Sequence, residues 1–298
     1  MFSLDRLRAL DAVAAHGSLA RAAQALHITP SGVSQQLAKL EREAGHPLLE
    51  PDGRSVRLTH AGRVLAGHAA RVLSQLSDAE ADLADLSEEI LGPLRLGGVG
   101  SSLRSLLPDV LAGLTAAHPR LTPTVVDGEA VDLVPRLLSG DLDLLLIESW
   151  DSRPMPVPAG VAVRTLVVED VEVALSARHP LADRAELGLA ELAGAVWASC
   201  PEGTEPYEAL VQALRGSGLE PEVRYPVTEY ATQLAFVARD LTLALVPRMA
   251  QRPCPPGVRF VPVRPRLRRE VRAAWRAHHP SPSVRACLTL LERQHDAP

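Results

Sequence analysis

Polar side chains recur on one face of a short segment that begins at Thr29-Pro30. Threonine at the N-cap and proline at the first helical position are a strong helix start, and they predict a helix over residues 30–44. Its buried stripe comprises Val33, Leu37, Leu40 and Ala44. Serine and glutamine side chains on the opposite face can reach base edges or phosphates in the major groove of DNA, which admits one helix. The candidate DNA contacts are Thr29, Ser31, Ser34, Gln35, Gln36, Lys39 and, outside this helix, Arg54, with base readout assigned to Ser31, Ser34 and Gln35.

The elements that would position this helix are a set of short N-terminal segments. Ser3 and Ser18 are predicted to cap two preceding helices, the first of which ends at Gly17. A strand, Asp-Gly turn, strand pattern over residues 48–58 predicts a hairpin "wing" with Arg54 at its tip. Two short helices joined by a tight turn, with the second one carrying polar residues, fit the geometry that DNA recognition requires.

The charge distribution supports this interpretation, although the whole chain has a formal net charge of −5. Residues 1–71 hold nine basic and six acidic residues, a net charge of +3, whereas residues 72–91 hold six acidic residues and no basic one. Taken singly, each polar or basic residue of the candidate helix is more often plain solvated surface. The combination of helix-turn-helix, wing and local positive charge favours DNA.

A long helix with a narrow apolar stripe is predicted over residues 59–91. From Leu65 to Ile90 the apolar residues are spaced alternately by four and three, which is a heptad pattern. Such a stripe either packs on its own domain or pairs with a second helix, and the polar, acidic surroundings favour pairing. The candidate dimerisation residues are Leu65, Val72, Leu76, Leu83, Leu86 and Ile90. Gly92-Pro93 breaks the helix and marks a domain boundary.

Residues 94–298 alternate strand and helix patterns, which predicts a parallel α/β sheet with right-handed crossovers. The predicted strands include two consecutive ones, Val161–Val168 and Val171–Ser176, and a later pair, Val258–Pro262 and Glu270–Ala274. The length of this region suggests two subdomains.

Polar residues follow several of these strands, and ligands bind beyond the carboxyl ends of strands in open α/β sheets. The candidate effector-binding residues are Ser101, Ser102, Glu148, Ser149, Thr204 and Thr228. Each residue alone also fits loop polarity or helix capping, but together they outline one cleft. The serine pair at a helix start suits an anion, whereas Glu148 and Glu229 suit a cationic or hydroxylated ligand, and the sequence leaves both open.

A long N-terminal motif carries a family resemblance. It reads Ala22-Ala23-x-x-Leu26-His27-Ile28-Thr29-Pro30-Ser31-x-Val33-Ser34-Gln35-Gln36-Leu37-x-x-Leu40-Glu41, followed by Gly45-x-Pro47-Leu48 and then Gly53-Arg54-x-Val56-Arg57-Leu58-Thr59-x-x-Gly62. This motif closely resembles the LysR-type transcriptional regulators, and the rest of the chain is similar to that family's effector-binding half more loosely.

The resemblance implies that the long helix forms a dimer interface and that a small-molecule inducer binds between two subdomains of a fold like that of periplasmic binding proteins. The chain would cross between them near residues 149–160 and return near residues 261–265. Two departures stand out. Leu49 and Pro51 replace the usual Phe and Arg, which implies loss of a phosphate contact, and Asp240-Leu241-Thr242 replaces a Gly-Leu-Gly turn.

These observations predict an α plus α/β architecture with three parts. A winged helix-turn-helix DNA-binding domain is expected over residues 1–62, a linker and dimerisation helix over 59–91, and a two-subdomain α/β effector-binding domain resembling periplasmic binding proteins over 92–298. Subdomain I would comprise about 92–155 and 265–298, and subdomain II about 160–264.

The preferred hypothesis is a sequence-specific DNA-binding transcriptional regulator whose activity responds to a small-molecule effector bound between two α/β subdomains. The alternative is a ligand-binding sensor with a helical dimerisation head and no DNA readout. An enzyme is not expected, because no Walker loop, dinucleotide fingerprint or nucleophile elbow occurs. No metal or cofactor is expected. The expected partners are double-stranded DNA, a small-molecule effector and further copies of the chain in a homodimer or homotetramer, with RNA polymerase as a candidate.

The sequence also suggests a cytoplasmic, non-membrane protein. Its three cysteines are too few for a disulfide scaffold, no secretory signal opens the chain, and no apolar run approaches the ~20 residues of a membrane helix. A buried, inert Cys200 is preferred over a redox sensor. The seven arginines of Arg259–Arg276 could form a second DNA patch, but a solvated strand edge blunted by charge is preferred.

Overall fold

The structure, a computed structural model, describes residues 2–52, 55–85, 90–277 and 280–295. The chain forms two compact units, one of residues 1–89 with 135–142 and one of residues 90–134 with 143–298. Three helices open the first unit, namely α1 (Leu4–His16), α2 (Leu19–Ala25) and α3 (Pro30–Ala44).

The ends of α2 and α3 follow the predicted capping pattern, whereas Ser3 stands at the N-cap of α1 without a side-chain capping hydrogen bond. The Ser18 hydroxyl accepts a hydrogen bond from the Arg21 amide at 3.5 Å, and the Thr29 hydroxyl accepts one from the Gly32 amide at 3.1 Å. Gly17 ends α1 in the left-handed conformation with φ of 61°, which glycine adopts without steric cost. The predicted helix-turn-helix is therefore confirmed as secondary structure.

A hairpin follows α3 and is attached to it by backbone hydrogen bonds. Strand β1 (Leu49–Asp52) pairs with β2 (Ser55–Leu58) in antiparallel register, and residues 53 and 54 lie outside the described residues. The Glu41 carboxylate of α3 accepts hydrogen bonds from the amides of Leu48 and Leu49 at 2.8 and 3.1 Å. This contact fixes where the hairpin leaves the helix.

Helix α4 (His60–Asp85) begins against the same corner. The Thr59 hydroxyl accepts a hydrogen bond from the Gly62 amide at 3.0 Å and donates one to the Pro47 carbonyl at 2.7 Å. A Cβ at Gly62 would lie 2.1 Å from the Leu48 carbonyl oxygen, so only glycine allows this approach. The core of this unit is an apolar cluster built by α1, α2, α3 and the first turns of α4, and it includes Leu10, Ala23, Leu37, Leu48 and Ala69.

The second unit contains a mixed sheet whose main path has the strand order β4-β3-β5-β11-β6-β10-β8-β9, with β7 paired to β11. Its strands are β3 (Gly92–Gly98), β4 (Leu121–Asp127), β5 (Leu144–Trp150), β6 (Val161–Ser176), β7 (Leu187–Gly188), β8 (Val196–Ser199), β9 (Glu222–Pro226), β10 (Leu243–Pro247) and β11 (Val258–Arg276). The helices connecting or flanking them are α5 (Gly100–Ala117), α6 (Ala130–Ser139), α7 (Glu205–Gly216), α8 (Tyr230–Val237) and α9 (Pro282–His295). Residues 135–139 of α6 belong to the first unit.

The prediction of a parallel sheet was only partly right. Strands β4, β3 and β5 are parallel, as are β10, β8 and β9. The central strands β11 and β6 are antiparallel to each other and to their main-path neighbours β5 and β10, whereas the short strand β7 pairs with β11 in parallel. The segment between β5 and β6 contains no helix, and a parallel return would need a crossover connection of a dozen or more residues.

The two long central strands also correct the predicted strand breaks. Val161–Val168 and Val171–Ser176 form one strand, β6, and Val258–Pro262 and Glu270–Ala274 belong to one strand, β11. They pair along their length, with register shifts between Pro262 and Leu267 and between Val271 and Arg272. Sequence patterns suggested breaks because the charged pair Glu169-Asp170 and the proline- and arginine-rich residues 263–269 interrupt the apolar pattern of the two strands.

Side chains of β6 enter two different apolar clusters. Leu166 packs with residues of β3, α5 and α9, whereas Val171 and Val173 pack with residues of β8, β10 and α7. The chain therefore passes from one cluster to the other within a continuous strand.

The arginine-rich segment is not a solvated strand edge, so this preference was wrong. β11 lies between β5 and β6 and pairs with both. Arg269 is fully buried. The exposed Arg268 lies 3.7 Å from Asp170, and the half-buried Arg272 lies 2.7 Å from Glu270. The arginine charges therefore form a buried ion-pair network at Arg269 and local ion pairs at Arg268 and Arg272.

Candidate functional site

The outward face of α3 presents most of the predicted DNA contacts to solvent. Ser31, Ser34, Gln35 and Lys39 are exposed, whereas Gln36 is half-buried. The opposite face is anchored by Val33, Leu37 and Leu40, all of which are buried. Residues at positions i, i+3 and i+4 of a helix share a face, so Ser31, Ser34 and Gln35 form a contiguous polar surface in the first turns of α3.

Two of the predicted DNA contacts have particular surroundings. The Thr29 hydroxyl is occupied as the α3 cap and lies 3.0 Å from the Ser31 hydroxyl, which leaves Ser31 the more available group. Arg54 lies outside the described residues. In the described part of the hairpin, Arg57 forms an ion pair with Glu50 at 2.9 Å.

The apolar stripe of α4 divides into a packed part and an open part. Leu65 packs against the core of the first unit, and Leu76 is half-buried. Val72 and Leu83 are 46% and 66% exposed. Leu86 lies outside the described residues, and Ile90 packs against the core of the second unit. The exposed positions leave an apolar surface along the second half of α4.

In the second unit, a cavity of about 120 Å³ lies beside the carboxyl ends of β3, β4 and β5. Its lining includes Ser101, Glu148 and Thr228, three of the predicted effector-binding residues. The other three predicted residues, Ser102, Ser149 and Thr204, are buried residues of the described chain that lie outside this lining. The Ser149 hydroxyl accepts a hydrogen bond from the Met155 amide, and the Thr204 hydroxyl donates one to the Pro201 carbonyl, so both have local structural partners.

Sequence reasoning did not predict the group beneath this cavity, the buried guanidinium of Arg269. It donates hydrogen bonds to Ser101 Oγ at 2.8 Å and to Glu148 Oε2 at 2.9 Å. Its Nε donates to Glu169 Oε1 at 2.8 Å. A buried charge requires such pairing, and the network ties α5, β5, β6 and β11 together at one point. The arginine-rich stretch of the sequence contained the signal, but nothing in it distinguished Arg269 from its neighbours.

Glu129 is a second lining residue that the sequence analysis missed. Burial, followed by the negative charges of Glu148, Asp127, Asp132 and Glu205, raises the pKa of its carboxyl group to about 7. Burial also raises the pKa of Glu148, although Arg269 opposes this shift. The site thus concentrates carboxyl groups under conditions that disfavour their ionisation.

The thiol of Cys200 also borders the cavity. It is buried, as predicted, and burial together with the charges of Glu129 and Glu148 raises its pKa. It donates a hydrogen bond to the Thr228 carbonyl at 3.4 Å. A thiol in this setting is protonated and weakly nucleophilic at neutral pH.

Comparisons with known proteins match both units. Residues 4–63 match the family model "Bacterial regulatory helix-turn-helix protein, lysR family", and residues 87–296 match the "LysR substrate binding domain". The chain belongs to the LysR family of transcriptional regulators. It is a DNA-binding transcriptional regulator with an effector-binding domain, and its family is not one of enzymes.

Individual relatives and a solved structure support the same family assignment. It is 28% identical over 262 residues to the HTH-type transcriptional regulator TtuA of Agrobacterium vitis, with 87% of this chain and 85% of that protein covered. It is 37% identical over 182 residues to a "Probable hydrogen peroxide-inducible genes activator" of Mycobacterium xenopi, with 61% and 94% covered. The structure of a full-length OxyR variant from Pseudomonas aeruginosa has the same fold, with a TM-score of 0.72, 22% identity and coverage of 100% and 95%.

These findings favour the DNA-binding regulator over a sensor that lacks DNA readout.

Within the described ranges, no group of three His, Cys, Asp or Glu side chains is placed to hold a metal ion. Of the helices that the structure describes, none is long and apolar enough to cross a bilayer.

Proposed function

We propose that this regulator reads DNA with the exposed face of α3. Ser31, Ser34 and Gln35 would contact base edges, while Thr29, Gln36, Lys39 and, from the wing, Arg54 would contact the backbone. The observation that carries this proposal is the exposed polar surface at the start of α3, held rigidly by a capped N-terminus and a buried opposite face. Recognition helices commonly use their N-terminal residues for base contacts.

The exposed half of α4 supports a homodimeric arrangement. Val72 and Leu83 present apolar side chains to solvent, and pairing with a second copy would remove them from water. A dimer places two α3 helices on two half-sites, so the target would be roughly palindromic. The same proposal includes a homodimer or homotetramer. It also includes contact with RNA polymerase and a cytoplasmic location, since a regulator must meet its DNA and the transcription machinery.

We further propose that the cavity beside Glu148 binds the effector. The same proposal includes the domain boundaries. The DNA-binding domain would comprise residues 1–62, the linker helix 59–91 and the effector-binding domain 92–298. Subdomain I of the effector-binding domain would comprise about 92–155 and 265–298, and subdomain II about 160–264. The support is that the cavity lies beyond the strand ends, as expected for ligand sites in open α/β sheets, and that Ser101, Glu148 and Thr228 line it. The effector would shift the population between two oligomer geometries and thereby change half-site spacing.

The Mycobacterium xenopi relative's name suggests a peroxide-responsive function. The properties of the three thiols in this chain do not favour that function. Burial raises the pKa of Cys200 and of the exposed Cys254, and it raises that of Cys287 to about 12. Peroxide reacts with thiolates, which these shifts disfavour.

DNA binding by the purified full-length protein tests this function. Fragmented genomic DNA from the source organism is incubated with the protein at several salt concentrations, and the bound fragments are sequenced. We expect enrichment of a dyad-like site whose affinity falls steeply as salt rises.

Ser34→Glu tests the docking, because it places a negative charge against DNA phosphates. We expect it to abolish binding. Ala116→Glu adds the same charge at an exposed position of α5 in the other unit and serves as the control. Undiminished affinity of the Ser34 variant would refute the proposed role of α3.

A further inference from the structure

We propose that the cavity beside Glu148 selects a small organic cation, with an ammonium or guanidinium group held by Glu129 and a second polar group held by the Tyr230 hydroxyl. This inference deepens the proposed effector role and rests on it. The sequence left open whether the site suits an anion or a cation. The structure provides two observations that favour the cation and a third that favours a ligand with a further polar group.

The first observation is the balance of charge around the cavity. Asp127, Glu129, Glu148 and Glu229 line it, with Arg104 as the only basic residue in the described lining. Arg269, beneath the lining, does not reverse this balance, because it is already paired with both Glu148 and Glu169. The potential inside a low-dielectric cavity with this composition attracts cations and repels anions.

The second observation concerns the start of α5, which is where an anion would be expected to bind. Helix N-termini attract anions through their free amide groups and the helix dipole. Here the carboxylate of Asp127 already lies beside this turn, with its Oδ1 atom 3.4 Å from the position of a Cβ on Gly100. The Ser101 hydroxyl oxygen already accepts a hydrogen bond from Arg269. A carboxylate of the protein thus already lies beside the turn at which an anion would bind, and its negative charge disfavours an anion there.

The third observation is an unsatisfied buried group. Tyr230 is only 8% exposed and lines the cavity, yet its hydroxyl has no hydrogen-bond partner among the described residues. It interacts electrostatically with Cys200, Glu148 and Glu129, which border the same cavity. A buried hydroxyl without a partner is costly, and a ligand with an amino or hydroxyl group would satisfy it.

The size and chemistry of the site favour an organic cation over a metal ion. A volume of about 120 Å³ is below the ~300–1,000 Å³ typical of pockets for drug-sized ligands. The carboxylates are spread around the wall, and the described residues contain no converging group of metal-ligating side chains. Val99, Pro206 and the Tyr230 ring complete the lining and can contact a ligand's carbon atoms.

Glu129 gives the inference a pH signature. Its pKa is raised to about 7 by burial and by charges from several elements, namely Glu148 at the end of β5, Asp127 at the end of β4, Asp132 of α6 and Glu205 of α7. The cationic Arg104 lines the same cavity. A bound cation would favour the ionised carboxylate and displace its proton. Affinity should therefore increase as the pH rises from 6 to 8.

The test uses the full-length protein and small probes of defined charge. Ethanolamine, putrescine and methylguanidinium are compared by calorimetry and thermal shift with neutral ethylene glycol and acetamide and with anionic glycolate and succinate. We expect millimolar or tighter binding of at least one cation and none of the anions. We expect Glu129→Gln to weaken cation binding about tenfold and to remove its pH dependence, because a charge-assisted hydrogen bond is lost. Tyr230→Phe should weaken binding severalfold, and Glu202→Gln, which alters an exposed carboxylate, should leave it unchanged.

Binding of an anion that Glu129→Gln leaves intact or strengthens would overturn the inference, as would the absence of binding by every cation to the folded protein. DNA affinity measured in parallel separates this result from the proposed effector role. If an anion binds and alters DNA affinity, the effector role stands and the charge assignment fails. If a cation binds with the expected pH dependence without altering DNA affinity, the charge assignment stands and the effector role fails.

Discussion

Nη1 of Arg269 lies 2.9 Å from Oε2 of Glu148, and both side chains are almost completely buried. The same guanidinium holds Glu169 and Ser101, and the second oxygen of Glu169 accepts a hydrogen bond from the Met249 amide at 2.7 Å. One arginine thereby connects the first turn of α5 to three strands of the sheet. The cavity wall formed by Glu148 is positioned by this arginine.

Arg269→Met should destabilise the effector-binding unit, because it leaves the Glu148 and Glu169 carboxylates buried without a counter-charge. Removing one partner of a buried ion pair costs about 3–5 kcal/mol. Urea unfolding at pH 7 measures the change. Arg268→Met is the control, since Arg268 is exposed and pairs with Asp170 at 3.7 Å, an arrangement worth about 1 kcal/mol or less. Equal unfolding midpoints for the two variants would contradict the role given to Arg269.

Gly62→Ala should destabilise the DNA-binding unit, since the added Cβ would lie 2.1 Å from the Leu48 carbonyl oxygen. The backbone must shift to relieve this overlap, and overpacking of this kind costs about 1–3 kcal/mol. Gly67, in the same helix, has no atom within 4 Å of its Cβ position. Gly67→Ala should instead stabilise the protein by up to about 1 kcal/mol through helix propensity. Thermal unfolding of the two variants should therefore shift in opposite directions.

Lys39→Ala and Gln35→Ala should separate backbone contact from base readout. Loss of a phosphate contact at Lys39 should weaken binding to all sequences alike and reduce the slope of log affinity against log salt by about 1. Loss of a base contact at Gln35 should relax the preference at one position of the site by about 1–3 kcal/mol. Binding to a set of single-base variants of the enriched site, at three salt concentrations, distinguishes the two results. The assignment fails if Lys39→Ala changes base preference and Gln35→Ala does not.

Leu83→Glu should shift the protein towards monomers. Leu83 is 66% exposed on α4 and would be buried in the proposed dimer interface, where an unpaired carboxylate is costly to remove from water. Val131→Glu changes a residue of α6 that is 61% exposed and should leave the oligomeric state unchanged. Sedimentation velocity across a concentration series gives the distribution of species. Identical distributions for both variants and the unmodified protein would exclude this part of α4 from the interface.

The stability of the free protein should fall as pH rises from about 4.5 to about 7. The pKa of Glu129 is raised from 4.5 to about 7 in the folded state, so the folded state binds more protons than the unfolded state in this window. The loss is on the order of 3 kcal/mol, at about 1.4 kcal/mol per pH unit, and no further loss from this group is expected above pH 7. Glu129→Gln should abolish this component, which denaturant titrations at pH 5 and pH 8 would measure. A Glu129→Gln variant with an unchanged pH slope would show that another group is responsible.

The local elements were predictable because short-range chemistry determines them. Thr29-Pro30 and Gly45 limit α3 at the predicted residues, since caps act within one turn. The left-handed turn before β10 shows the limit of motif comparison. Asp240 adopts a φ of 63°, a region that aspartate tolerates better than most residues, so the turn exists without the family's glycine.

Long-range features were not predictable from the residues. Nothing local distinguishes Arg269, which is buried, from Arg268, which is exposed, because their difference arises from alternation across a strand that has neighbours on both sides. The same holds for Glu129 and Tyr230, which only the folding of α6 and α8 brings to one cavity. Strand-end reasoning did identify Ser101, Glu148 and Thr228 as candidates, because it depends on sheet geometry rather than on single contacts.

The continuity of β6 and β11 has a mechanical consequence. Both strands contribute side chains to both apolar clusters, so a rotation of one cluster against the other must apply torsion to a hydrogen-bonded ladder. That ladder is irregular at two places, between Pro262 and Leu267, where Val263 and Arg264 pair with β7 instead of β6, and between Val271 and Arg272. Arg269 lies between the two irregularities, two residues from Leu267 and two from Val271. A ligand that displaces Glu148, which Arg269 holds, therefore acts on the stretch of the ladder whose pairing is least regular.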